Sequence, residues 1–203
     1  MKFFFPMSYE GFAMKLFAFA ASLRQGSINQ QLIEIAAEAA RKAGAEVELV
    51  AFSEVVSPNY NGDDEAKADG FPAGAARFKE LLDGSDGFLI SSPEYNYSVP
   101  GVLKNALDWV SRYKPTPTSG KHAYLLSTSP GMVGGNRGLW SLRQPLEVMG
   151  THVYPSMFSQ GGGFQQIGDG SLTDPGQQAR LEAQIADFVA FASAAKSGGT
   201  ASF

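Results

Sequence analysis

Short apolar stretches alternate with longer stretches of helical periodicity from Met14 onward, and this alternation is the feature that most constrains the fold. The short stretches carry apolar runs or two-residue alternation, whereas the long ones repeat apolar residues every three or four positions. The predicted strands are 14–21, 46–52, 87–92, 121–127 and 151–154. The predicted helices are 28–43, 72–83, 100–113, 135–150 and 174–195. Strands that alternate with helices predict an α/β domain with a parallel sheet.

Five strands with intervening helices predict the flavodoxin-like, doubly wound α/β topology in a single domain. We expect that domain to span residues 14–197, with residues 1–13 as an N-terminal arm and residues 198–203 as a frayed end. Such a sheet binds ligands at the carboxyl ends of its strands, near the topological switch point. The site is therefore expected in the loops after strands one, three and four. The polar segment 53–71 is expected to be a long loop without regular structure, a kind that is often functional.

Composition excludes several classes of function. The chain has no cysteine, so it has no disulfide framework, thiolate nucleophile, iron–sulfur cluster or Cys-based zinc site. Its two histidines, His122 and His152, are too far apart for an HExxH zinc helix. The formal net charge of −4 argues against a nucleic-acid partner and a polybasic membrane anchor. No apolar run approaches the ~18 residues of a membrane span. Polar residues interrupt the apolar N-terminal segment, so it lacks the continuous core of a signal peptide. We therefore expect a cytoplasmic protein.

The loop after the first predicted strand, residues 21–29, has the chemistry of an anion site. Free N–H groups and the dipole at a helix N-terminus attract anions, and Ser22, Arg24 and Ser27 add hydroxyl and guanidinium donors. The loop is neither a Walker loop nor a GxGxxG fingerprint, because both spacings are absent. The alternative interpretation is that Ser27 only caps the helix, with Gln30 completing a capping box.

The other two loops suit a planar ligand. Residues 92–100 hold two prolines, two tyrosines and an asparagine directly after a buried strand, and can offer flat apolar surface and backbone donors to a ring. Residues 128–135 combine Thr128 and Ser129 with three glycines, which permit a close backbone approach. Taken separately, each loop is equally well explained as an ordinary strand-to-helix connection with no ligand.

Taken together, the three loops resemble those of the NADPH-dependent FMN reductase family, particularly its quinone- and chromate-reductase branch. The similarity spans residues 14–163 in consistent order. The matching stretches are Ser22-Leu23-Arg24 with Ser27 and Asn29, Pro93 through Gly101, Leu103 through Trp109, Gly120-Lys121, Gly134-Gly135, and Leu142-Arg143-Gln144. The run from Pro93 to Trp109 is the most specific of these. Ala21 stands where the family usually has Gly.

The resemblance implies three groups of FMN-binding residues. The group around the phosphate is Ser22, Arg24, Ser27 and Asn29, with Ile28 between them. The group that lines the isoalloxazine is Pro93, Glu94, Tyr95 and Asn96. The group that closes the other side of the ring is Thr128, Ser129 and Gly131. For Glu94, the family's oligomers favour a carboxylate that turns away from the ring and pairs with an arginine of a neighbouring subunit.

The implied activity is that of an NAD(P)H-dependent FMN reductase with a ping-pong mechanism. It takes two electrons from NADPH or NADH and passes them through FMN to a quinone or a similar small oxidant, such as chromate, an azo compound or free flavin. Because the flavin supplies the chemistry, no catalytic side chain is expected, and no metal site is expected either. The resemblance also implies a homodimer or homotetramer. Its interface candidates, unless they are core residues, are Trp109, Tyr113, Trp140 and Leu142.

Two alternatives remain on the same fold. One is an FMN-binding electron carrier or sensor that does not turn over NAD(P)H, which the loop sequences do not distinguish from a reductase. The other is a flavin-free protein such as a phosphatase or a signalling receiver. The small phosphatases of this fold use a Cys nucleophile, which the chain lacks, and a receiver needs acidic residues where Ala21-Ser22 and Ser92-Pro93 stand. A serine hydrolase is disfavoured too, because no GxSxG elbow occurs.

Overall fold

A parallel sheet of six strands forms the centre of the molecule. The structure is a computed structural model that describes residues 13–67 and 70–197, so nearly all of the expected arm and the whole expected frayed end lie outside it. The strands of the sheet are β1 Lys15–Ala20, β2 Glu46–Leu49, β3 Gly87–Ser91, β4 His122–Thr128, β5 His152–Val153 and β6 Phe158–Gln160. They lie in the order β2-β1-β3-β4-β5, with β6 also paired to β4. This order confirms the predicted flavodoxin-like, doubly wound fold.

Helices cover both faces of the sheet. Their bounds are α1 Ile28–Lys42, α2 Gly62–Glu65, α3 Ala73–Asp83, α4 Gly101–Val110, α5 Asn136–Val148, α6 Gly163–Gln166 and α7 Pro175–Ser197, with a 3-10 turn at Phe52–Val55. Helices α1 and α7 pack on one face, and α3, α4 and α5 on the other. A small antiparallel hairpin, β7 Ile167–Gly168 with β8 Ser171–Leu172, precedes α7. Within the described ranges, no helix is long and apolar enough to cross a membrane.

The residues of β1 explain the two-sided core. Successive strand side chains point to opposite faces. Leu16 and Ala18 therefore pack under α1 and α7, whereas Phe17 and Phe19 pack under α3, α4 and α5. On that second face, the Phe78 ring of α3 meets both phenylalanines edge to face, with ring centroids 6.2 and 5.9 Å away. Because the centre of the sheet is buried on both faces, the strands β1 and β3 are largely apolar. The edge strand β2 differs, since it alternates glutamates with apolar residues and is mostly exposed.

The edge of the sheet next to β4 is interrupted. The fifth strand is predicted at 151–154, but β5 pairs only with the start of β4, and β6 pairs with its end. Pro155 lies between the two short strands and has no N–H to donate to the ladder. The chain therefore leaves β4 opposite Ala123 and rejoins it opposite Leu126, which brings Gln160 to the carboxyl edge.

The segment 53–71 is more ordered than the sequence predicts. It contains the end of the 3-10 turn and α2, so the expectation of a loop without regular structure is wrong. Asn105 of α4 accepts a hydrogen bond from the Tyr60 N–H at 2.7 Å and donates to the Pro58 carbonyl at 3.0 Å. The Trp109 indole N–H donates to the same carbonyl at 2.7 Å. These partners lie more than 40 residues away in sequence, so hydropathy periodicity does not reveal them.

The four interface candidates divide between core and surface. Trp109 and Leu142 are fully buried within a single chain. Tyr113 is half-buried and stacks on Phe71, with ring centroids 4.0 Å apart. Trp140 differs, since 59% of it is exposed on α5. Of the four, Trp140 is the one whose ring is largely free to contact another subunit.

Candidate functional site

One buried amide joins the first and third candidate loops to the end of β3, where the second loop begins. Asn29 lies in the first turn of α1 and is only 3% exposed. Its Nδ2 donates to the Thr128 carbonyl at 2.9 Å. Its Oδ1 accepts from the Thr128 N–H at 3.1 Å and from the Ser91 hydroxyl at 2.9 Å. Three of the four hydrogen-bonding positions of the amide are thus used inside the protein, so a contribution of Asn29 to anion binding falls mainly to its backbone N–H.

The start of α1 leaves donors available for an anion. Ser27 is the N-cap residue, but its hydroxyl makes no capping hydrogen bond. Gln30 does not complete a capping box either, since no hydrogen bond joins it to Ser27 through its side chain; its Nε2 donates to Glu34 at 2.9 Å. The capping-box alternative is therefore wrong. The Ser27 carbonyl accepts from the N–H groups of Gln30 and Gln31. Within residues 13–67 and 70–197, the N–H groups of Ile28 and Asn29 have no carbonyl acceptor.

Arg24 provides positive charge beside these donors. Its guanidinium carbon lies 5.5 Å from the centroid of the Phe164 ring in α6. It forms no ion pair with any residue that the structure describes, so its charge is not neutralised there. The Ser22 hydroxyl accepts a long hydrogen bond of 3.4 Å from the Arg24 N–H. A groove of about 370 Å³ runs past both side chains on the β2 side of the loop.

The second loop forms a tight turn that projects two aromatic rings. The Tyr95 N–H donates to the Ser98 carbonyl at 3.1 Å, and the Ser98 N–H donates to the Tyr95 carbonyl at 3.0 Å. Asn96 and Tyr97 have φ values of 50° and 65°, as in a type I′ turn. The rings of Tyr95 and Tyr97 are 54% and 67% exposed, whereas Pro93 at the start of the loop is buried. Flat aromatic surface and polar backbone therefore stand at the carboxyl edge of the sheet, directly after β3.

The Glu94 carboxylate turns away from this edge and caps α5. Its Oε2 accepts from the Gly138 N–H at 2.9 Å, and its Oε1 accepts from Arg137 Nε at 3.1 Å. The carboxylate thus turns away from the ring loops, and within one chain its arginine partner is Arg137. The physical reason is the helix itself: free N–H groups in the first turn of α5 attract a carboxylate. The pairing with an arginine of a neighbouring subunit stays a prediction.

The third loop packs against the glycine-rich segment 161–163. The Gln160 carbonyl accepts from the Thr128 hydroxyl at 2.9 Å and from the Ser129 N–H at 3.2 Å. A Cβ at Gly163 would lie 2.4 Å from Thr128 Oγ1 and 2.7 Å from Ile28 Cδ1. These glycines therefore permit loops of the protein to approach one another. Gly131 differs from them, because a Cβ there would meet only Ser129 Oγ, at 3.8 Å.

Sequence reasoning missed Gln160 and Phe164 as members of this edge. Phe164 covers Arg24, and the Gln160 carbonyl holds the third loop. The three consecutive glycines at 161–163 are the signal that could have pointed to them, since such a run often marks a close approach of two backbones.

The histidines lie at the opposite edge of the sheet. His122 begins β4 and His152 begins β5, and their ring centroids are 5.2 Å apart. Burial lowers the pKa of His122, and the neighbouring His152 lowers it further, with a smaller opposing effect from Asp86. Neither histidine can serve as an acid or base at the carboxyl edge. Among the described residues, no group of three or more His, Asp or Glu side chains could hold a metal ion.

The fold and the edge together define a class of protein: a flavodoxin-like domain whose first loop suits a phosphate and whose next two loops suit a ring. Comparison with known proteins agrees with this class. The sequence profile of the NADPH-dependent FMN reductase family matches residues 14–165. An NAD(P)H-dependent FMN reductase of Pseudomonas aeruginosa is 40% identical over 139 residues, which are 68% of this chain and 72% of that protein. A quinone reductase of Escherichia coli is 36% identical over 174 residues, or 84% of this chain and 90% of that protein.

Solved structures support the same assignment. FerB, a flavoenzyme NAD(P)H:(acceptor) oxidoreductase from Paracoccus denitrificans, superposes with a TM-score of 0.77 at 30% identity, covering 90% of this chain and 98% of FerB. Flavodoxin 1 from Bacillus cereus, at 14% identity and a TM-score of 0.57, shares the fold. The chain therefore belongs to the NADPH-dependent FMN reductase family, an oxidoreductase family that uses FMN and NAD(P)H.

The residues at the carboxyl edge fit FMN. A phosphate dianion requires donors and positive charge, and the edge offers the Ser27 hydroxyl, the α1 N-terminus and the Arg24 guanidinium, which has no ion-pair partner among the described residues. A flavin ring requires flat surface and backbone polar groups, which the loop from Pro93 to Ser98 provides. The donor set therefore agrees with the cofactor of the family.

We expect Gly163→Ala to damage this edge, because its new Cβ would lie within 3 Å of both Thr128 and Ile28. Separating the first and third loops should lower the free energy of unfolding by about 1–3 kcal/mol and weaken FMN binding. Gly168→Ala is the matched control, since its nearest heavy atom would be 3.8 Å away. Urea unfolding and fluorescence titration with FMN measure both effects. Equal FMN affinity in the two variants would contradict this role of Gly163.

Proposed function

We propose that this protein is a two-electron reductase of quinones and similar small oxidants, with NADPH or NADH as the donor. The observation that carries the proposal is the buried Asn29 bridge. It ties the loop suited to a phosphate to the third loop and to the end of β3, where the second loop begins. The names of the relatives support the choice of acceptor, since those from Escherichia coli and Solanum tuberosum are called quinone reductases or quinone oxidoreductases.

We assign the phosphate of FMN to the first loop. Ser22, Arg24 and Ser27 offer side-chain donors, and Ile28 and Asn29 offer backbone N–H groups at the positive end of α1. The opposite charges of phosphate and guanidinium strengthen these hydrogen bonds relative to neutral ones. The loop therefore fixes one end of the cofactor, and that in turn sets the position of its ring.

We assign the ring to the second and third loops. Pro93, Tyr95 and Asn96 lie along one side, with Glu94 contributing its backbone while its side chain caps α5. Thr128, Ser129 and Gly131 lie along the other side. When bound, FMN supplies the redox chemistry by accepting a hydride from NAD(P)H and reducing the acceptor. The protein residues bind and orient the reactants, so a catalytic acid or base is not required.

Bleaching of the bound flavin tests the proposed function. The protein loaded with FMN should lose its visible absorption when NADPH or NADH is added without oxygen, and a quinone should restore it. A flavin that binds but stays oxidised would contradict the reductase and favour the electron carrier or sensor. Failure to bind FMN at all would contradict both.

Arg24→Ala should weaken FMN binding about 10- to 100-fold, because a hydrogen bond to a charged group contributes roughly 1.5–3 kcal/mol. Arg41→Ala is the matched control: Arg41 is an exposed arginine at the far end of α1, where it donates to the Val47 carbonyl. Titration of the apoprotein with FMN gives both dissociation constants. An Arg24→Ala variant that binds FMN as tightly as Arg41→Ala would remove Arg24 from the phosphate site.

We propose further that the protein acts in the cytoplasm, where reduced pyridine nucleotides are available, as a homodimer or homotetramer. Trp140 supports the oligomer, because an exposed tryptophan is typical of subunit interfaces. Trp140→Glu should lower the mass measured by light scattering, whereas Phe191→Glu, at a similarly exposed ring on α7, should not. A monomeric mass for the unmodified protein would contradict the oligomer.

A further inference from the structure

Arg137 follows the end of the third loop and makes two contacts with the second loop. It lies in the first turn of α5, directly after the third loop ends. Its Nε donates to Glu94 at 3.1 Å, and its guanidinium carbon lies 3.7 Å from the centroid of the Tyr97 ring. Two contacts on different sides, one at an edge and one at a face, fix the plane of the guanidinium.

The remaining edge of this guanidinium is free to bind a ligand. Nη1 and Nη2 make no hydrogen bond to any residue in the part of the chain that the structure describes. An arginine that pairs with one carboxylate often uses both Nε and a terminal nitrogen. Here the second oxygen of Glu94 accepts from the Gly138 N–H instead, which leaves the terminal nitrogens unused.

The charge that this group shows to solvent is positive. The Glu94 side chain is only 10% exposed, whereas that of Arg137 is 43% exposed, so the carboxylate lies beneath the guanidinium. The positive end of the α5 dipole adds positive potential on the same side. An anion that approaches from solvent therefore meets the guanidinium before the carboxylate.

We propose that Arg137 binds a phosphate of the pyridine nucleotide, either the pyrophosphate common to NADPH and NADH or the 2′-phosphate of NADPH. This rests on the proposed function, because the donor must place its nicotinamide near the ring loops that Arg137 adjoins. The chain has a formal net charge of −4, which repels a polyanionic donor unless positive charge stands at the entrance.

Other arginines close to this edge are less suitable. Arg24 lies in the loop assigned to the cofactor phosphate, on the far side of β3. Arg143 donates to the carbonyls of Val153 and Tyr154 and pairs with Glu147, so its guanidinium is occupied. Arg137 combines a fixed plane, free donors and exposure, which the other two do not.

Binding of adenosine phosphates tests the proposed phosphate contact of Arg137 without turnover of the nucleotide. Calorimetry with the FMN-loaded protein should show that Arg137→Ala weakens binding of adenosine 2′,5′-bisphosphate or of ADP by about tenfold or more. A larger effect on the bisphosphate assigns the 2′-phosphate, and an equal effect on both assigns a 5′-phosphate contact. Arg137→Lys keeps the charge and should retain most of the affinity at low salt. Arg41→Ala should bind both compounds as the unmodified protein does.

Flavin bleaching separates ligand binding from a structural role. Arg137→Ala should slow bleaching by subsaturating NADPH or NADH but leave the rate with 1-benzyl-1,4-dihydronicotinamide, which carries no phosphate, unchanged. Equal losses with all donors, or unchanged nucleotide affinity in Arg137→Ala, would overturn the proposal while leaving the reductase function intact. An unmodified protein that the benzyl compound reduces but NADPH and NADH do not would instead contradict the proposed function, and this proposal with it.

Discussion

The Asn29 side chain is the contact on which the candidate site depends. It connects the first turn of α1 to the ends of β3 and β4 through Ser91 and Thr128. Each buried polar group that it satisfies would otherwise cost about 1–3 kcal/mol. Because the amide sits in the first turn of the helix, it fixes the helix N-terminus relative to the ends of the two neighbouring strands. A phosphate bound at that N-terminus is therefore at a defined distance from a ring bound between the other loops.

The fold could be predicted because burial on both faces forces a readable pattern onto the strands. The apolar run of β1 supplies Phe17 and Phe19 to one layer and Leu16 and Ala18 to the other, so the sheet is visible in the sequence. The division of the last edge into β5 and β6, and the order within 53–71, were not predicted. Both depend on partners distant in sequence or on a proline, and hydropathy does not report either.

The site was predictable only to the level of its loops. Parallel strands bring their carboxyl ends to one edge, which places the three loops together without knowledge of side chains. The local chemistry was harder to read. Ser27 and Gln30 have the spacing of a capping box, but neither side chain makes the capping hydrogen bond, and Gln30 donates to Glu34. The partner of Glu94 lies in the same chain, 43 residues further on. A third-loop glycine that suggests a ligand, Gly134, admits a neighbouring segment instead, since a Cβ there would lie 2.6 Å from the Gln160 backbone.

The distribution of charge along the edge follows from the strand order. The order β1-β3-β4 places the loop from Pro93 to Ser98 between the loops that carry Arg24 and lead to Arg137. Glu94 lies in that middle loop but is turned inward, where it satisfies α5. The outward charges on the two sides are consequently both positive, in a chain whose net charge is negative. Such an edge would suit two ligands with phosphates at opposite ends and flat rings in the middle. Each cation would attract one phosphate, and the loop between them, whose carboxylate is turned inward, would accept the rings.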